Sequence, residues 1–260
     1  TGGGTIWMDQ PSESAVLSSG SSIFLSNGSI LRRDSSETVD DTSLELGEGG
    51  GGISVGNGFS LVWDAPITGS GDFTKFGEGR FVIPGNNSAW SGDITIRNGT
   101  LRAIASNALG TGSFASVESG ATLEIAGDIS LPQSIELDGG TLASLSGNNT
   151  VESPVLLRSS STIDVQQDSL TLSDSISSNV GNDSVSFGDG VTADLTLAGF
   201  GDFTLLGSLD LGGFDSTAGD VNQVGAGVAR FKSPLNVESV RSTGGGTIWM
   251  DQPSESAVLS

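Results

Sequence analysis

Histidine, cysteine and tyrosine are absent from the 260 residues, and lysine occurs only as Lys75 and Lys232. Without histidine there is no Ser-His-Asp triad, no Cys-His pair and no imidazole metal site. Without cysteine there is no disulfide frame, which fits a chain exported unfolded. Ten basic residues stand against 31 acidic ones, a net charge of -21. Nucleic acid and anionic lipid therefore have no electrostatic hold on the chain, and neither is expected as a partner. No apolar run reaches the roughly 18 residues that a membrane-spanning helix needs. No secretory leader is visible either, as expected of an internal window of a longer protein.

Glycine is abundant, at 40 residues, and hydrophobic residues still make up 35%. That is enough apolar material for a core, in a chain that turns often. Asn27-Gly28, Asn57-Gly58, Asn98-Gly99, Asp138-Gly139 and Gly139-Gly140 mark the turns, because Gly and Asn reach positive φ at low cost.

The clearest signal is a repeat. TGGGTIWMDQPSESAVLS, residues 1–18, recurs letter for letter as residues 243–260. Residues 1–242 are thus expected to be one complete repeat unit and 243–260 the start of the next, identical one. Inside the unit a finer period runs through Leu61, Phe81, Leu101, Leu123, Leu142 and Ile163, whose successive intervals are 20, 20, 22, 19 and 21 residues. These six are the expected core anchors. Around them apolar and polar residues alternate, as in Thr122-Leu123-Glu124-Ile125 and Ser169-Leu170-Thr171-Leu172. This places Leu123 inward and Glu124 outward, where a change to Lys is expected to be nearly silent.

Helical spacing is sustained nowhere, and Gly interrupts each candidate helix. An antiparallel sandwich also uses short strands and Gly-rich turns, but it predicts neither a step near 20 residues nor an exact long repeat. The fold class expected is all-β, a β-solenoid with about 20 residues per coil. Some 12 coils stacked at about 4.8 Å would make each unit a rod roughly 55 to 60 Å long.

The segment from Gly69 to Gly112 carries Gly69-Ser70-Gly71, Thr74-Lys75, Gly77-Glu78-Gly79, Gly85-Asn86-Asn87, Trp90-Ser91-Gly92, Asn98-Gly99-Thr100-Leu101 and Ala108-Leu109-Gly110-Thr111-Gly112. In these pieces it resembles the autotransporter-associated β-strand repeat of Gram-negative passenger domains. Looser matches follow at Gly120-Ala121-Thr122-Leu123 and Gly139-Gly140-Thr141-Leu142. The resemblance implies a right-handed parallel β-helix outside the cell, at the surface of a Gram-negative-type bacterium, serving as an adhesin or stalk, with no catalytic residues to carry over. Trp90 departs from the pattern, which commonly has Tyr there.

Other candidates are weaker. Asp40-Asp41 has the carboxylate pairing of a glycosidase but no basic cluster beside it, so a solvated turn is expected. Gly47–Gly52 satisfies a dinucleotide fingerprint in letters only, with no helix or Gly-Lys-Ser/Thr to follow, and is expected to be a projecting loop. Asn27, Asn86, Asn98, Asn148 and Asn182 begin Asn-x-Ser/Thr triplets, read chiefly as turns. Asp183, Asp189, Asp194 and Asp202 are weak calcium candidates in a turn-rich stretch without an iterated calcium motif; otherwise no metal or cofactor is expected. Phe73, Phe81, Trp90, Phe114 and Phe203 are expected in the core rather than as glycan platforms.

The function expected is a structural segment of a tandem-repeat surface fibre, not an enzyme. Its partners would be neighbouring copies of the repeat, end to end and possibly side by side. An adhesin stalk that binds cell-surface ligands through outward loops such as 34–41 is the alternative, and a polysaccharide-degrading β-helix enzyme is the third reading.

Overall fold

A computed structural model of the chain describes residues 4–7, 20–178, 193–212 and 218–251. Among these the regular elements are all β-strands, and the named strands pair in parallel. Asn182, Asp183 and Asp189 lie outside the described residues. The chain is a parallel β-solenoid of about 10 turns spaced about 21 residues apart. It divides into two compact units, Thr1–Glu124 and Ile125–Ser260.

In the first unit each circuit of the chain lays one strand on each of three faces. One face stacks Thr5–Trp7, Ser29–Arg33, Gly51–Val55, Phe73–Phe76, Ile94–Ile96 and Phe114–Glu118. The next stacks Glu37–Val39, Ser60–Trp63, Arg80–Ile83 and Thr100–Ala103. The third stacks Ser22–Leu25, Ser43–Leu46 and Ile67–Gly69, and Trp90 continues it through a bridge to Gly69. The second unit repeats the plan. Its faces run from Ser134–Asp138 to Leu235–Asn236, from Thr141–Ser146 to Val240–Ser242, and from Ser130–Leu131 to Thr247–Met250.

Alternation on the strands is what fills the interior. Thr100–Ala103 reads half-buried, buried, half-buried, buried, and Ser169–Leu172 reads the same way. Phe81 has Leu61 and Leu101 as its Cα partners on either side, and Leu142 is registered with Ile163. With Leu123, all six of these residues are 0% exposed. Each apolar side chain thus lies on an apolar side chain of the coils beside it, burying roughly 1.5–3 kcal/mol of transfer free energy apiece. One circuit fills its centre with aromatics taken from all three faces. Phe73 lies 5.5 Å from Phe81 and 5.9 Å, edge-on, from Trp90.

The step is regular in the middle of each unit and longer elsewhere. Glu37 is registered with Leu61, Ile163 with Leu197 and Leu197 with Gln223, steps of 24, 34 and 26 residues. These longer steps are why about 10 turns are found where a uniform step of 20 gives 12. Extra residues leave the solenoid at a corner, where the strands on either side keep their register and only loop-closure entropy is lost.

Candidate functional site

The chemistry of this chain is concentrated in polar side chains that join one coil to the next, most densely between Gly69 and Gly112. Lys75 occupies an inward position on Phe73–Phe76 and is 0% exposed. Its Nζ donates to the carbonyls of Phe76 at 2.8 Å, Gly77 at 2.7 Å and Asn98 at 3.1 Å. The first two carbonyls belong to its own corner and the third to the corner one coil later. Three acceptors match the three donors of an ammonium group. Burial nevertheless pulls its pKa down from 10.5 to about 8, against the opposing pull of Glu78.

Asn87 does the same work between three coils. Its Oδ1 accepts from the Ile67 N–H at 2.8 Å and its Nδ2 donates to the Ala108 carbonyl at 2.9 Å. Asn149 repeats the device in the second unit, accepting from Ile129 N–H at 3.0 Å and donating to the Ser146 carbonyl at 2.9 Å. Both side chains are almost fully buried, so the backbone groups they meet have no water to fall back on. Trp90 Nε1 donates to the Gly71 carbonyl at 3.0 Å, 19 residues back along the chain.

That carbonyl is reachable because one corner of the first unit is a column of glycines. A Cβ built on Gly71 would collide with the Gly47 carbonyl oxygen, one on Gly92 with the Gly71 carbonyl, and one on Gly112 with the Gly92 carbonyl. Backbone packs directly on backbone there.

Ion pairs tie coils together on the outer surface. Glu124 lies 2.6 Å from Arg102 and 3.3 Å from Arg80. It faces away from the core, as its place between Leu123 and Ile125 requires, yet the two arginines cover it until only 9% is exposed. The expectation that Glu124→Lys is nearly silent is therefore corrected: alternation sets the direction of a side chain, not what lies over it. Arg158 and Glu136 pair at 2.7 Å, and Arg230 and Asp202 at 3.0 Å.

The remaining sequence candidates fall as follows. Asp40 and Asp41 are exposed; the Asp41 carboxylate accepts from the Thr42 hydroxyl at 3.2 Å and its carbonyl from Gly20 N–H at 3.1 Å. Gly47–Gly52 does not project: Gly51 and Gly52 open the strand Gly51–Val55 and are buried, where a Cβ on Gly51 would press into Leu25. Residues 34–41 are likewise no free loop, since Glu37–Val39 pairs with Leu61–Trp63 and the Arg32–Asp34 ion pair closes at 2.8 Å. The Asp194 carboxylate accepts from Asp220 N–H at 2.9 Å and Asp202 is held by Arg230. Among the described residues no three metal-ligating side chains gather. Phe73, Phe81, Trp90 and Phe203 are buried, but Phe114 is 39% exposed because it opens its strand before the first inward position, Ala115.

Against known proteins, the chain is 31% identical over 142 residues to the adhesin BmaC autotransporter of Brucella suis biovar 1 (strain 1330), a stretch that is 54% of this chain and 4% of that protein. Fold and similarity together fit a passenger-type β-helix autotransporter protein. The chain spans about 4% of the length of this relative. No family model matches it, and no solved structure does. Among the described residues of this passenger-type β-helix, no helix is long and apolar enough to cross a membrane.

Sequence reasoning missed the two asparagine staples, having read Asn as a turn former. The signal was present. Gly85-Asn86-Asn87-Ser88 and Gly147-Asn148-Asn149-Thr150 share a Gly-Asn-Asn-hydroxyl pattern, and in each it is the second Asn that is buried.

Proposed function

We propose that this chain is a structural segment of an extracellular passenger at the surface of a Gram-negative-type bacterium. Residues 1–242 would be one unit of a tandem array and 243–260 the start of the next. The observation that carries this reading is where the polar chemistry goes. Lys75, Asn87, Asn149 and Trp90 all spend their donors on backbone of their own or neighbouring coils, and Glu124 spends its charge on two arginines. Side chains used in this way hold a scaffold together and leave little for turnover, so the role is non-enzymatic and needs no cofactor. Neighbouring units, end to end and side by side, are the partners it calls for.

Adhesion is the second reading, favoured by the adhesin to which the chain is similar and by the exposed aromatics Phe24, Phe114 and Phe200. The two roles are compatible in one fibre. The test is to label intact, unpermeabilised cells with antibody against this segment and then to screen the purified segment on glycan and matrix-protein arrays. Surface labelling with negative arrays supports the scaffold alone, and surface labelling with a saturable ligand supports the adhesin. Labelling only after permeabilisation contradicts both.

A further inference from the structure

The two copies of the repeated segment are paired on opposite edges. Thr5–Trp7 is registered with Ile30–Arg32, the strand that follows it, and Thr247–Met250 with Val228–Phe231, the strand that precedes it. With an offset of 242, Thr5 corresponds to Thr247 and Gly4 to Gly246. In the first copy the Gly4 carbonyl accepts from Ile30 N–H at 3.0 Å. In the second, Thr247 N–H donates to the Gly227 carbonyl at 3.1 Å and Asp251 N–H to the Phe231 carbonyl at 2.9 Å.

In a parallel sheet the N–H and C=O of one residue point to the same side, and those of the next residue to the other. Positions 4 and 246 therefore address the following strand, whereas 247 and 251 address the preceding one. The two copies use alternate backbone groups and do not compete. The inward register also agrees. Ile6 is registered with Leu31 and Ile248 with Ala229, and both partners are 1% exposed.

We infer that residues 247–250 form a junction strand that pairs on both edges at once, with Val228–Phe231 of its own unit and with Ile30–Arg32 of a second copy of this chain. Because the sequences are identical, the C-terminal copy of one molecule fits the place held by Thr5–Trp7 in the next, and isolated chains join head to tail by strand exchange. This deepens the tandem-array reading, on which it rests, by fixing the register of the seam: Thr247 falls opposite Ile30.

The absence of cysteine makes the seam testable in the full chain. Two double variants, Ile30→Cys with Thr247→Cys and Ile30→Cys with Thr5→Cys, are refolded over a range of concentrations and oxidised. The second closes within one molecule, since Thr5 and Ile30 are Cα partners and strand spacing suits a disulfide. The first gives a covalent ladder of dimers, trimers and higher species that grows with concentration. Monomer alone from the first, beside closure of the second, overturns strand exchange while leaving the surface role to its own test on cells. Failure of the second to close overturns the register itself. An equal ladder from Thr95→Cys with Thr247→Cys overturns the inference too, by showing non-specific association.

Discussion

The Lys75 ammonium and the Asn98 carbonyl stand 3.1 Å apart across 23 residues of sequence, joining two corners that follow one another in the stack. The chain thus uses its scarcest cation inside the solenoid, where a charge is most costly, to satisfy carbonyls that turn away from the strand ladders.

A pH dependence follows from that burial. Lys75 releases its proton near pH 8 in the folded chain and near 10.5 when unfolded. Between these values the unfolded state binds more protons, so stability rises with pH, by at most about 3 kcal/mol. Below pH 8 both states are protonated and the dependence vanishes. With no His, Cys or Tyr present, Lys232 is the one other side chain that ordinarily titrates in this window. Urea denaturation at pH 7.5 and pH 10.5 should show the gain in wild type and lose it in Lys75→Met.

Leu123 and Glu124 separate core from cover. Leu123→Asp should cost about 4 kcal/mol or more by burying a lone charge, abolishing cooperative melting. Glu124→Lys leaves the core intact but sets three cations together, at a cost of about 1–2 kcal/mol. Far-ultraviolet circular dichroism should therefore show a native spectrum with a lowered Tm for Glu124→Lys, and a lost transition for Leu123→Asp.

Asn87→Ala strands the Ile67 N–H and the Ala108 carbonyl, which should cost about 1–3 kcal/mol for each group left without a partner. Amide exchange at Ile67 is the direct readout. Its protection should fall in Asn87→Ala, while that of Ile94, bonded within its own strand stack, falls only as far as global stability does.

The glycine column predicts a contrast between two substitutions of the same kind. Gly92→Ala pushes a methyl group into the Gly71 carbonyl and should cost about 2–3 kcal/mol. Gly58→Ala meets nothing within 4 Å at φ +80°, so only backbone strain of about 1 kcal/mol remains. Chemical denaturation of the two variants gives both numbers.

The fold was readable because two kinds of regularity coincided. Leu61, Phe81 and Leu101 recur at the length of a coil, and each lies in an alternating stretch, so period and inward face were legible together. The longer steps from Ile163 to Leu197 and on to Gln223 were not, because a corner insertion has no required composition. Cover was equally hidden. Arg80 and Arg102 stand 44 and 22 residues before Glu124, and nothing local to Glu124 announces them. Gly51 and Gly52 misled in the opposite sense: glycine ordinarily reads as loop, whereas here the lack of a side chain lets Leu25 and Thr74 close over a strand.

The most direct test of the stacked register is a disulfide ladder in this cysteine-free chain. Thr95 is the Cα partner of Thr74 on one side and of Ser116 on the other, all three at half-buried, outward positions. Thr74→Cys with Thr95→Cys, and Thr95→Cys with Ser116→Cys, should each oxidise to a single intramolecular disulfide, identified by mass spectrometry, with the native spectrum retained. If both pairs stay reduced in folded protein while Thr95→Cys links instead to a cysteine on a neighbouring antiparallel strand, the coils are not stacked in parallel and the account fails.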